Sequence, residues 1–197
     1  MPKVTEEYRS AKRDEIAHAA MVAFHRKGFH GTSMADIIAE SGLSAGAIYG
    51  HYRSKSELVF EVAQRVVGDR QDEVDAFAER VPMPPPAQVV RVLIDGMTHA
   101  LGGTGMLVQL WGEAVTDPEV RELATTVLGR LREVYSGYIA LWHEREHGLS
   151  KADAQAVATA QFPLFVAAAQ GYIVQSALLS DFDAEAYLTS IEKYLPA

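Results

Sequence analysis

The chain has 197 residues, 48% hydrophobic and 22% charged, an ordinary make-up for a soluble globular protein with enough length to bury a core. It has no cysteine, which excludes disulfides and thiolate chemistry, and its polar start, Met1 to Glu7, has no apolar signal region, so a cytoplasmic protein is expected. The net charge of −8 is uneven: residues 1–55 carry 8 Lys and Arg against 6 Asp and Glu, a net of +2, with four of the seven histidines, whereas residues 56–197 carry 10 against 20, a net of −10. A slightly basic head on an acidic body suits a polyanion that meets one end of the molecule.

Strand alternation persists nowhere, and the predicted elements are all helical. Ile16, Ala19, Ala20, Ala23 and Phe24 make an apolar stripe at i, i+3, i+4, i+7 and i+8, and Gly28 stops that helix after Arg26 and Lys27. Ser33 and Asp36 have the spacing of a capping box and open a second helix that ends at Gly42. A third runs from Ser44 to about Tyr52. Ser54-Lys55-Ser56-Glu57 opens a long fourth helix that ends near Arg80. Val81-Pro82-Met83-Pro84-Pro85-Pro86 breaks the chain; it reads as a loop between helices, with a polyproline ligand as the alternative. Helices follow at about 87–101, 105–115, 118–147, 151–179 and 184–194, with breaks at Gly102-Gly103-Thr104-Gly105, Asp117-Pro118, Gly148 and Ser180-Asp181. The fold class is all-α with about nine helices. The apolar stretch from Phe162 to Leu179 is interrupted by Pro163, Gln170, Gly171 and Gln175, which suits a buried helix rather than a membrane span.

Two short helices joined by Gly42-Leu43 make a helix-turn-helix, whose second member can enter a DNA major groove. With Ser44 as its N-cap, Leu43 and Ile48 have hydrophobic-staple spacing, and Tyr52 shares the buried side. The opposite side carries Gly46 and Gly50, flanked by Ala45 and Tyr49 and by Ala47 and His51. A helical glycine costs about 1 kcal/mol relative to alanine. Two on an exposed face fit a helix whose backbone must come close to a duplex; the alternative is that tertiary contacts simply tolerate them. Helix starts bind anions through free N–H groups, and three helices here open with Ser or Thr. Lys55 at the first position of the fourth helix opposes the helix dipole, which a phosphate would offset. Tyr49 and His51 can donate to phosphate, and Thr32 and Ser33 can clamp the backbone across the groove.

The stretch GTSMADIIAESGLSAGAIYGHYRSKSELV, residues 31–59, with the Ile16 to Gly28 helix before it, resembles the DNA-binding head of TetR-type (TetR/AcrR) transcriptional repressors. The resemblance is close over about residues 10–60 and beyond that is one of general character. It implies a head over residues 1–55, a ligand-binding and dimerising body over 56–197, and the helix 54–80 connecting them. It places Thr32, Ser33, Ser44, Ala45, Gly46, Ala47, Tyr49, His51 and Lys55 on DNA-contacting positions and Tyr52 on an aromatic core position. Gly50 departs from the family, where a larger side chain is common. Base readout is then thin, and specificity leans on thymine-methyl contacts and DNA shape. The partners implied are double-stranded DNA with a near-palindromic operator, a second copy of the chain, and a small-molecule inducer; no membrane, metal or cofactor is expected.

In the body, Ala160, Leu164, Ala167, Gly171, Val174 and Leu178 form a small-residue stripe. With Tyr187, Leu188, Ile191 and Leu195 of the last helix it is a candidate homodimer interface, the alternative being burial inside one chain. Such a homodimer sets two reading helices about 34 Å apart. Met97, Met106, Leu110, Trp111, Tyr138, Trp142, Phe162, Phe165 and Gln170, with Leu107 and Tyr135, recur on apolar faces and describe either a core or a cavity for an apolar or aromatic ligand. The resemblance implies an inducer pocket there; the alternative, if the body has no cavity, is a DNA-binding regulator with no small-molecule inducer. Pro163 is expected to bend its helix, and Glu113 to balance a positive group or stay solvated. His143-Glu144-Arg145-Glu146-His147 matches the H-E-x-x-H zinc-hydrolase pattern; Gly148 ends the helix at once and no histidine follows to complete a metal site. No nucleophile–base arrangement for an enzyme is evident.

Overall fold

The computed structural model describes residues 6–101 and 103–196; residues 1–5, in the polar start, and Gly102, in one predicted break, lie outside it. The described residues form nine α-helices and no strand: α1 (Glu6–Gly31), α2 (Met34–Ser41), α3 (Ala45–Tyr49), α4 (Lys55–Ala78), α5 (Pro86–Ala100), α6 (Thr104–Thr116), α7 (Pro118–His147), α8 (Lys151–Leu178) and α9 (Ala184–Tyr194). The predicted order holds, with two differences near the reading end. Gly28 is a kink inside α1 rather than its stop: its φ of 73° and ψ of 168° suit glycine alone, and the chain continues helically to Gly31. α3 is only five residues long and ends at Tyr49, with Gly50 as its C-cap.

Local chemistry sets the helix starts. Ser33, Ser44, Ser54 and Ser150 each accept from the backbone N–H three residues on. The Ser33–Asp36 box is complete, with the Asp36 carboxylate 2.8 Å from the Ser33 N–H. At α4 the box slips by one residue, because Glu57 takes the Arg53 N–H at 2.6 Å.

The head packs α1 on α2 and α4, and its core of Ile16, Ala20, Phe24, Phe29, Ile37, Ile48, Tyr52 and Leu58 is continuous with Leu101, Met106, Leu107 and Ile173 of the body. The body core runs from Val89, Val90 and Ile94 on α5 through Tyr135, Ile139 and Trp142 on α7 to Phe162 and Phe165 on α8. α7 packs along α4, α6 and α8, and α9 closes the far end against α5 and α8.

The proline segment is a structured loop, and α7 holds it. Proline lacks an N–H but keeps a carbonyl that needs a donor. The Tyr135 hydroxyl donates to the Pro86 carbonyl, the Tyr138 hydroxyl to Pro84 at 2.6 Å, and the Trp142 indole N–H to Met83 at 3.2 Å. Burial pushes the Tyr138 phenol up to about 12 and the Tyr135 phenol well above its ordinary value, so both remain neutral donors. Tyr138, Trp142 and Phe162, the last packed on Tyr135, therefore belong to the core and loop rather than to a ligand site.

α9 corrects part of the interface expected from the sequence. Ile191 is buried against its own chain's core, and the Tyr187 hydroxyl donates to the Ala168 carbonyl at 3.0 Å while lying directly over Gly171. Gly171 is small because Tyr187 occupies the space a side chain would need. Ala160, Leu164, Ala167 and Leu178 stay exposed on the outer face of α8, with Val174 half-buried and Pro163 also outward. α8 is long and apolar enough to cross a membrane by length and composition, yet it packs on α5, α6, α7 and α9, so its inner face is already a core face.

Candidate nucleic-acid interface and ligand cavity

The end of the molecule formed by α2, α3 and the following loop is the candidate nucleic-acid interface. Ile48 is fully buried and Tyr52 nearly so, with Leu43 packed on the same cluster, as the staple spacing predicts. That orientation leaves Ser44, Ala45, Gly46, Ala47 and Tyr49 exposed on the outer side of α3, with His51 half-buried beside them. A Cβ at Gly46 would meet nothing within 4 Å, so Gly46 presents bare backbone to open space. Gly50 differs: a Cβ there would lie 3.2 Å from the Gly46 carbonyl oxygen, so its small size serves the end of α3.

Three polar residues expected on phosphate are occupied inside the head. Thr32 is buried, with its hydroxyl 2.8 Å from the Gly28 carbonyl and 3.2 Å from that of Ala23. It closes the kinked end of α1 and offers DNA no side chain. The Lys55 ammonium donates to the Phe29 carbonyl at 2.8 Å and the Thr32 carbonyl at 3.2 Å, and sits 4.3 Å from the Phe29 ring centroid. A cation at the start of α4 is thus explained by the carbonyls that end α1, not by a phosphate. The Ser33 hydroxyl, though exposed, donates to Asp36 at 2.7 Å within the capping box.

Arg53 was not singled out by sequence reasoning. It is exposed beside the end of α3, and its side chain has no ion pair among the described residues, whereas Arg26 pairs with Glu40 at 2.9 Å and Lys27 with Asp36 at 2.6 Å. The available signal was its place just before the Ser54 cap, outside both helices and so free of helix partners. Lys27, then Ser33, hold the Asp36 carboxyl well below its ordinary range.

Behind the head lies an apolar cavity of about 140 Å³ lined by α4, α5, α6, α7 and α8. Of the predicted ligand residues, Met97, Leu110, Trp111, Phe165 and Gln170 line it; Met106 is buried in the head-side core instead. The sequence reading missed the α4 side (Val59, Phe60, Ala63) and the α7 stripe of Val120, Ala124, Val127 and Leu131. The i, i+4, i+7, i+11 spacing of that stripe was legible as an inward face.

One helix touches both regions. On its cavity side α6 presents Leu107, Leu110 and Trp111. On its head side the Gln109 side-chain oxygen accepts from the Phe29 N–H at 2.9 Å, and Glu113 lies 3.3 Å from His30. Glu113 therefore faces the head and not the cavity. A Cβ at Gly28 would lie 3.1 Å from the same Gln109 oxygen, so the kink also makes room for this contact.

The His143–His147 pair does not form a hydrolase centre. The two Nδ1 atoms are 2.9 Å apart and directed at each other, and His143 Nε2 is 3.1 Å from Gln161 Oε1, so the imidazoles are engaged in a structural hydrogen-bonded chain. Among the described residues no group of three His, Cys, Asp or Glu side chains is gathered for a metal.

An exposed helix-turn-helix face thus lies at one end of a helical body that holds an apolar cavity. A family model described as bacterial regulatory proteins of the tetR family matches residues 16–62, so the head is similar to that of TetR-type regulators. An uncharacterized HTH-type transcriptional regulator, YfiR of Bacillus subtilis, is 36% identical over 78 residues, 40% of this chain and 38% of that protein; the chain thus aligns to less than half the length of this relative. The fold over nearly the whole chain is that of solved TetR regulators. One from Haloarcula marismortui has a TM-score of 0.68 at 17% identity, covering 94% of this chain and 97% of that one. FadR of Bacillus subtilis, solved in complex with stearoyl-CoA, has a TM-score of 0.61 at 15% identity, covering 92% and 96%.

Proposed function

We propose that the protein is a homodimeric transcriptional repressor, at work where the chromosome lies, that leaves its operator when a small apolar ligand fills the cavity. The head of about residues 1–55 binds DNA, and the body of 56–197 binds ligand and the second copy. The observation that carries this reading is α6, which lines the cavity with one face and fastens Phe29 at the end of α1 with the other. A ligand that presses on Leu110 and Trp111 displaces Gln109 and Glu113 from the head. Lys55 extends the same joint, because it holds the Phe29 carbonyl from the start of α4. To empty an occupied operator, a ligand must favour the released arrangement by several kcal/mol. That FadR of Bacillus subtilis holds stearoyl-CoA on a similar fold supports a ligand-binding body.

On DNA, α3 lies in the major groove with Ala45 and Ala47 against thymine methyls, Gly46 close to the base edges, and Tyr49, His51 and Arg53 on flanking phosphates. The exposed side of α8, with Ala160, Leu164, Ala167 and Leu178, meets its copy in an isologous contact. A footprint of the purified protein on DNA upstream of its own gene, at low and high salt, tests the reading. A protected near-palindrome about two turns long that weakens as salt rises is expected. Protection of only one half-site, unaffected by salt, would contradict it.

A further inference from the structure

The lining of the cavity specifies the charge of what it can hold. Not one Asp, Glu, Lys, Arg or His is among its lining residues. Most are aliphatic or aromatic, and the polar atoms can be followed one by one. Tyr135 lines the cavity, but its only donor is given to the Pro86 carbonyl. Glu113, the nearest carboxylate along the Leu110–Trp111 segment of α6, is turned to His30. What remains is the Ser56 hydroxyl on α4, the Trp111 indole N–H on α6 and the Gln170 amide on α8, and none of the three has a hydrogen-bond partner among the described residues. A buried charge without a counter-charge is disfavoured far more than apolar contacts can return, whereas a hydroxyl or carbonyl group is readily matched by an amide and an indole. Gln170 offers both a donor and an acceptor, and Trp111 a donor.

We propose that the cavity takes an uncharged lipophile with one neutral hydrogen-bonding head, and that Gln170 with Trp111 reads that head. This rests on the cavity being the ligand site. A charge that enters the cavity finds no counter-charge there, so anionic lipophiles and lipophilic cations are both disfavoured against a neutral one. The volume of about 140 Å³ suits a single ring or a short chain, since a dry protein cavity of about 150 Å³ takes benzene. Larger molecules enter by displacing the flexible Met97 and Leu110 side chains.

Three eight-carbon probes of one shape separate the outcomes: 1-octanol, octanoate and octylammonium at pH 7.5, followed by the melting temperature and the tryptophan emission of the full chain. Octanol is expected to bind at least tenfold more tightly than either ion. Ions that bind within threefold of octanol would overturn the charge rule while leaving the cavity as a ligand site. If none of the three raises the melting temperature or changes the emission at millimolar concentration, the cavity is not a ligand site, and both the rule and the reading beneath it fall. Gln170→Glu is then the variant that locates the head: it is expected to favour octylammonium over octanol. A Gln170→Glu protein that melts as the wild type does and keeps the wild-type preference would remove Gln170 from the reading of the head.

Discussion

Gly28 sits where the end of α1 meets α6. Its positive φ and the 3.1 Å approach of Gln109 leave an alanine both strained and crowded. Gly28→Ala is expected to cost about 1–3 kcal/mol, measured by denaturant unfolding, and trimming Gln109 to alanine in the same chain relieves the crowding but removes the acceptor of the Phe29 N–H, so the double variant should stay below wild type. Asp36 gives a pH test in the same region. Its carboxylate is stabilised by Lys27 and Ser33 in the folded head, so its contribution is present above the unfolded value of about 4 and is lost progressively as pH falls below it toward the well-lowered folded value. The melting temperature of wild type should drop on acidification below about pH 4, and Asp36→Asn should drop less steeply there, though from a lower start. Arg53→Ala should weaken binding to all DNA sequences alike and reduce the salt slope by about 2, one phosphate from each protomer; Lys55→Met should instead lower stability. The sequence could not separate these two cations, because Lys55's partners, the carbonyls of Phe29 and Thr32, lie 26 and 23 residues away in the chain.

At the scale of elements, the helices themselves were legible because capping residues, glycines and prolines punctuate each boundary, and the apolar stripe of α1 is the buried one. What escaped was which apolar face meets which. Tyr138 and Trp142 read as pocket aromatics, but their polar tips, like that of the cavity-lining Tyr135, answer the carbonyls of a proline loop about 50 to 60 residues earlier. Trp142→Phe keeps the ring and removes the N–H, leaving the buried Met83 carbonyl without its donor, so a loss of about 1–3 kcal/mol is expected by denaturant unfolding. Likewise the small-residue stripe of α8 proved to be two faces: Gly171 accommodates Tyr187 of the same chain, whereas Ala160, Leu164, Ala167 and Leu178 face outward. Periodicity gives the face of a helix but not its partner.

Across the whole molecule, the charge asymmetry and the architecture agree. Residues 1–55 carry a net charge of +2 and residues 56–197 a net of −10, so the head is the end that repels a polyanion least. α3 is only five residues long, and on the proposed reading a second copy held at the outer face of α8 supplies the second reading helix. Leu164→Asp places a carboxylate on that face and is expected to shift the protein toward monomers in sedimentation and to lower operator affinity at least tenfold, without altering the fold seen by circular dichroism. The measurement that tests the central claim most directly is a selection of the purified full chain against a random pool of duplex DNA at low salt. The account predicts enrichment of a near-palindrome with half-sites about 10 base pairs apart, centre to centre, held more weakly as salt rises. A pool that returns unenriched would contradict the reading of residues 31–59 as a working DNA-binding head.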